Sequence, residues 1–127
     1  DQGRIIQAVE GEAFGKGAYI YLRYEEPEEA QMGRTSTTVR VQPDEIRIVR
    51  HGDVRFEQTF TTGRVHVGYM QTPHGRMEIE TATDRLSVEM QRERAADIRL
   101  AWSYSLKVMG EAAGRYRVML TATPLSI

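Results

Sequence analysis

The sequence predicts an all-β fold: a single antiparallel meander, closed or nearly closed into a barrel of about 8–10 strands. Three observations lead there. Apolar side chains recur at period two along most of the chain and almost nowhere at helical spacing. The segments between them are short and built on Gly, Pro and Asp, whereas a parallel return needs a crossover of a dozen or more residues, so neighbours must be antiparallel. A flat sheet of that many strands would expose two long edges, and closure removes them.

The elements follow in order. Strands are predicted over 4–12 and 18–24, separated by the turn signal Phe14-Gly15-Lys16-Gly17, and over 35–42 and 45–50 around Pro43-Asp44. The acidic run Glu25-Glu26-Pro27-Glu28-Glu29 opens a loop that reaches Arg34; its self-repulsion predicts a solvated, mobile segment on which no strand depends. After His51-Gly52-Asp53 comes a strand over 54–60, with Val54, Phe56 and Phe60 facing in and Arg55, Glu57 and Thr59 facing out. Strands over 65–70 and 76–81 flank Pro73-His74-Gly75, and Thr83-Asp84 precedes another over 85–90. The ninth, 98–109, has the clearest alternation: Ile98, Leu100, Trp102, Tyr104, Leu106 and Val108 share one face. A tenth, 116–123, follows Gly110 to Gly114.

The 127 residues make one domain, large enough for a single core. With no cysteine there is no disulfide framework or thiolate nucleophile, which suits the reducing cytoplasm. No apolar run approaches a membrane span, and no membrane partner is expected. Formal net charge is −1, with 17 basic and 18 acidic residues, so nothing in the overall field draws the protein to nucleic acid. The outward arginines Arg40, Arg47, Arg55, Arg76 and Arg99 alternate with Glu57, Glu78, Glu80 and Glu89, which predicts cross-strand ion pairs on a solvated face.

The succession Y-L-R-Y-E-E (21–26), M-G-R-T-S-T-T-V-R-V (32–41), I-V-R-H-G (48–52) and Y-M-Q-T-P-H-G (69–75) resembles the YwiB-like family of small bacterial proteins across almost the whole chain. The resemblance implies a lipocalin-like, calycin-type β-barrel. It implies no activity, because the family has no established catalytic or binding residues, so every site must be argued from this chain.

No catalytic constellation is readable. The serines lack a nucleophile-elbow context, the three histidines form no triad with them, and Gly15-Lys16-Gly17 lacks the third glycine and following helix of a phosphate loop. An enzyme is not expected, nor a cofactor. His51, Asp53 and His74 form a weak candidate metal set, because alternate turns share a rim; no paired spacing such as H-x-H supports it, and each residue is also an ordinary turn former. His66, between Val65 and Val67, is assigned to the polar face.

The predicted inner face is unusually polar. Beside Val, Ile and Leu it carries Gln7, Tyr24, Thr35, Thr37, Gln58, Tyr69, Thr81, Trp102, Tyr104 and Tyr116. Each buried hydroxyl or amide without a partner costs about 1–3 kcal/mol, so a wet lumen is one explanation and hydrogen bonding within the barrel is the other. A small, partly apolar molecule is the expected ligand, held by Tyr24, Gln58, Tyr69, Trp102, Tyr104 and Tyr116. The alternative is a protein or RNA interaction module using the outer face or the acidic rim.

A mouth is expected at the rim shared by loop 25–34, His51-Gly52-Asp53, Pro73-His74-Gly75 and loop 91–97. The count treats 76–90 as two strands; a single bent strand would send every later turn to the opposite end.

Overall fold

The structure, a computed structural model, describes residues 5–91 and 94–125. Nine strands follow one another: β1 (Gly11–Lys16), β2 (Tyr19–Glu25), β3 (Thr35–Gln42), β4 (Glu45–Gly52), β5 (Arg55–Thr61), β6 (Val65–Thr72), β7 (Gly75–Gln91), β8 (Arg94–Val108) and β9 (Glu111–Ala122). Each pairs antiparallel with the next, in one sheet ordered β1 to β9. A three-residue 3-10 turn, Glu28–Ala30, is the only helical element among the described residues. No helix is long and apolar enough to cross a membrane.

The meander is as the sequence predicts, and closure goes as far as a curled half-barrel. Among the described residues β1 and β9 are not hydrogen-bonded to one another; the sheet curls so that β1 approaches β8. Period-two alternation drives the curl, because only a folded-over sheet can bring the apolar faces of β2 to β5 against that of β8. Leu22, Val39, Val41, Ile46, Ile48 and Phe60 of β2 to β5 meet Ile98, Leu100 and Trp102 of β8 across the core. Phe60 anchors it, its ring centroid 5.2 Å from that of Trp102 and 4.8 Å from that of Tyr104. Burying each large apolar side chain contributes roughly 1.5–3 kcal/mol, so this seam dominates the stability.

Three predicted elements need correction. Residues 75–91 form one strand, not two, and Thr83-Asp84 is no turn. Thr83 and Arg85 pair with the consecutive residues Tyr104 and Ser103, so Asp84 is the extra residue of a β-bulge. The bulge shifts the phase of the strand. Ile79, Thr81 and Thr83 are buried before it, and Leu86, Val88 and Met90 face the core after it. A change of phase in the sequence therefore looks like a break between strands.

With one strand fewer, the later connections exchange ends. The end bearing loop 26–34, Asp53 and Pro73-His74 also receives the two-residue turn Met109-Gly110, whose positive φ values of 52° and 83° fit a tight hairpin. Loop 91–97 does not join that rim: residues 92 and 93 lie outside the described residues, and Arg94–Asp97 already belong to β8.

The first strand is displaced as well. It covers Gly11–Lys16 instead of 4–12, with the turn at Gly17-Ala18, and Gln7 is exposed outside it. The third correction concerns β6, whose faces are reversed. His66 stands opposite buried Thr81 and Met70 opposite Met77, whereas Val65, Val67 and Tyr69 are exposed. Gly68 explains the choice. A Cβ there would collide with the backbone carbonyl oxygen of Glu57, so the inward phase of β6 includes a position only glycine fits.

Candidate functional site

Inside the half-barrel lies a cavity of about 360 Å³, within the range of small-molecule sites. Its walls are largely apolar, with Ile48, Phe60, Met70, Met77, Ile79 and Leu106 among them. Alternation on β5, β8 and β9 aims the polar groups: Gln58 from β5, Trp102 and Tyr104 from β8, and Tyr116 from β9 all sit in inward phase. Tyr24 of β2 and Arg50 of β4 complete the polar lining.

Part of the inner face's polarity is satisfied by the protein itself. Gln58 Nε2 donates to Thr81 Oγ1 at 2.8 Å. Thr35 Oγ1 donates to the Met32 carbonyl at 2.6 Å and accepts from the Val54 N–H at 3.2 Å. Thr37 donates to the Glu26 carboxylate and accepts from Arg50 Nε at 3.2 Å. Tyr104 stacks on its cross-strand partner Tyr116 at 5.3 Å.

Two buried side-chain polar atoms remain without a partner among the described residues: Thr83 Oγ1 and the indole Nε1 of Trp102. Trp102 lines the cavity but is 2% exposed, and its indole nitrogen shows no surface there. An indole N–H donates only, so nothing but an acceptor can satisfy it.

Arg50 is the lining residue that composition and motif reading miss. Its signal is a phase: Ile46, Ile48 and Arg50 share one face of β4, which puts a guanidinium on an apolar row. Nε lies 3.7 Å from Glu26 Oε2, and the guanidinium carbon lies 5.0 Å over the Phe56 ring. The Glu26 side chain is 2% exposed, which corrects the expectation that no strand depends on the acidic run; Glu25, Glu28 and Glu29 are exposed. Tyr24 is held above the ordinary tyrosine range chiefly by burial, with the Glu26 charge adding and Arg50 opposing. Burial likewise raises Tyr104, partly offset by the Gln58 side chain.

Of the six residues expected to line the lumen, Tyr24, Gln58, Trp102, Tyr104 and Tyr116 meet at this cavity. Tyr69 does not. It is 47% exposed on the outer face, with the guanidinium of Arg76 lying 3.9 Å over its ring. His66 is half-buried rather than solvated, and its Nε2 is 3.1 Å from Thr61 Oγ1.

His51, Asp53 and His74 are not brought together as a metal set: among the described residues no group of three potential ligands forms. Asp53 Oδ2 accepts from the Arg34 backbone N–H at 3.1 Å, tying the rim loop to β4. The His74 backbone N–H donates to Thr72 Oγ1 at 3.2 Å within a two-residue turn, and the side chain is exposed.

A family model described as a domain of unknown function (DUF1934) matches residues 1–120. The uncharacterized beta-barrel protein YwiB of Bacillus subtilis (strain 168) is 26% identical over 102 residues, which are 80% of this chain and 68% of the relative. The crystal structure of the ywiB protein from Bacillus subtilis superposes with a TM-score of 0.69 at 23% identity, covering 89% of this chain and 75% of the other. That likeness extends to the fold.

Proposed function

We propose, from the premise that the chain belongs to the DUF1934 family, that it is a non-catalytic β-barrel protein that binds a small, mostly apolar molecule in its inner cavity. One observation carries the reading. A cavity of about 360 Å³ opens inside the half-barrel with mostly apolar walls, and Tyr24, Gln58, Tyr104 and Tyr116 add a few polar groups to its lining. A neutral ligand with an apolar body and one ether, carbonyl or hydroxyl oxygen matches such a lining. Arg50 asks for no anionic group, because Glu26 already sits beside it. The raised tyrosines support a binding role over proton transfer, since both stay protonated at neutral pH. Use of the interior in this way is lipocalin-like, and the absence of cysteine suits the cytoplasm.

Trp102 is the only tryptophan, so its emission reports the cavity directly. Titration with aliphatic ketones, alcohols and fatty acids of increasing chain length should give a saturable emission shift that the neutral members produce at lower concentration than the carboxylates. Replacing Ile79 by Phe, which fills the cavity from its β7 wall without adding a second tryptophan, should abolish the shift. A flat response across the whole series would remove the reading.

A further inference from the structure

The outer face of the same sheet carries a second concavity, a groove of about 590 Å³ reaching from Tyr21 on β2 to Arg76 on β7. Its lining is strongly basic: the outward Arg40, Arg47, Arg55 and Arg76, with Arg50 reaching its edge from the inward phase of β4, against one carboxylate, Glu57. The sequence predicts ion pairs on this face, and the structure supplies some of them. Arg47 pairs with Glu57, and Arg40 Nη2 lies 3.3 Å from Glu45 Oε2; Arg50, in inward phase, is engaged by Glu26. Arg55 and Arg76 have no carboxylate within ion-pair distance among the described residues, and both are exposed.

Aromatic rings line the same groove. Tyr21 stacks on Phe14 at 5.3 Å with an interplanar angle of 13°, and half-exposed Tyr69 carries the Arg76 guanidinium over its face. The reversed phase of β6 creates this arrangement, because it turns Tyr69 outward beside Arg76. A small anion would need the guanidiniums alone. Planar surfaces next to unpaired positive charge suit a ligand that is both anionic and flat along its length.

We propose that this outer groove binds single-stranded nucleic acid, with phosphates at Arg55 and Arg76 and a base stacked against the Tyr69–Arg76 pair. Six strands cross the groove at ~4.8 Å spacing, giving a track of roughly 24 Å, long enough for several nucleotides. Stacking requires unpaired bases, so the strand is single and the recognition tolerant of sequence. The near-neutral whole chain does not oppose this, because contacts at such a groove act within about a Debye length, ~10 Å at moderate salt.

The test is fluorescence anisotropy of a labelled oligothymidylate of about 12 nucleotides at low salt. The wild type should bind, with affinity falling as salt rises. R55Q/R76Q should lose at least about tenfold and flatten the salt dependence, each lost phosphate contact removing ~0.7 from the log–log slope. Y69L should weaken binding about tenfold while keeping the slope. Circular dichroism of each variant should match wild type, these side chains being exposed. I79F, which fills the inner cavity, should bind the oligonucleotide as wild type does, which separates this site from the cavity. Absence of binding at low salt overturns the proposal, as does binding indifferent to both substitutions. It is equally overturned if a mononucleotide or a polyglutamate peptide binds as tightly as the oligonucleotide, since the groove would then select charge alone.

Discussion

Arg50 Nε lies 3.7 Å from Glu26 Oε2, and the same buried carboxylate accepts the hydroxyl of Thr37. One glutamate of the acidic run thus holds the only guanidinium in inward phase on β4 and ties the rim loop to β3. Replacing Glu26 by Gln leaves Arg50 without its counter-charge; because Arg50 retains some solvent exposure, the expected loss is about 1–3 kcal/mol, below that of a fully buried pair. Glu25, Glu28 and Glu29 are exposed, so their Gln variants should stay within about 0.5 kcal/mol of wild type. Urea midpoints decide it. Equal effects at all four positions would show that the Glu26 pair contributes nothing special.

Deleting Asp84 should be far more damaging than replacing it. The bulge residue sets the phase that turns Leu86, Val88 and Met90 inward after Thr83, and its removal directs them to solvent. D84G, in contrast, removes only an exposed ion pair with Arg115 at 2.9 Å and should cost less than about 1 kcal/mol. The comparison is of soluble expression and thermal midpoint; a deletion variant as stable as D84G would refute the phase argument.

Gly68 tests the orientation of β6. G68A forces the strand away from the Glu57 carbonyl and should destabilise by about 2 kcal/mol or more. V67T, on the exposed side of the strand, should change stability by less than about 0.5 kcal/mol. If V67T were the more costly of the two, the outward assignment of Val67 and Tyr69 would be wrong.

Alkaline pH should destabilise the fold through Tyr24 and Tyr104. Burial raises both above the ordinary value of 10.0, so the folded protein keeps these protons to higher pH than the unfolded chain does. Their contribution is therefore complete below pH 10.0 and is lost as pH rises through the raised folded values. The thermal midpoint should fall across that window, and Y24F/Y104F should flatten the decline. An identical decline in the double variant would assign the alkaline transition to other groups.

The inward residues of β5, β8 and β9 are legible in the sequence, which is why Gln58, Trp102, Tyr104 and Tyr116 fall into one set there. Alternation is a local property: a strand with a clear apolar face has one inward phase, whatever surrounds it. Tyr69 was misassigned because β6 offers apolar residues in one phase and His66, Gly68 and Met70 in the other, and side-chain hydropathy favours the wrong one. The deciding contact is the Glu57 backbone, which no property of residues 65–72 reveals.

The sequence by itself determined the antiparallel meander, through period two and short turns, and most of the residues that line its interior. Tertiary structure alone decided that Asp84 is a bulge and not a turn, that Glu26 reaches in to Arg50, and that Arg76 lies over the Tyr69 ring in the groove that Arg55 also lines. The physical reason is range. Periodicity and turn preference act between neighbours along the chain, whereas a bulge, a buried ion pair and an outer groove depend on which strands the curl of the sheet brings together.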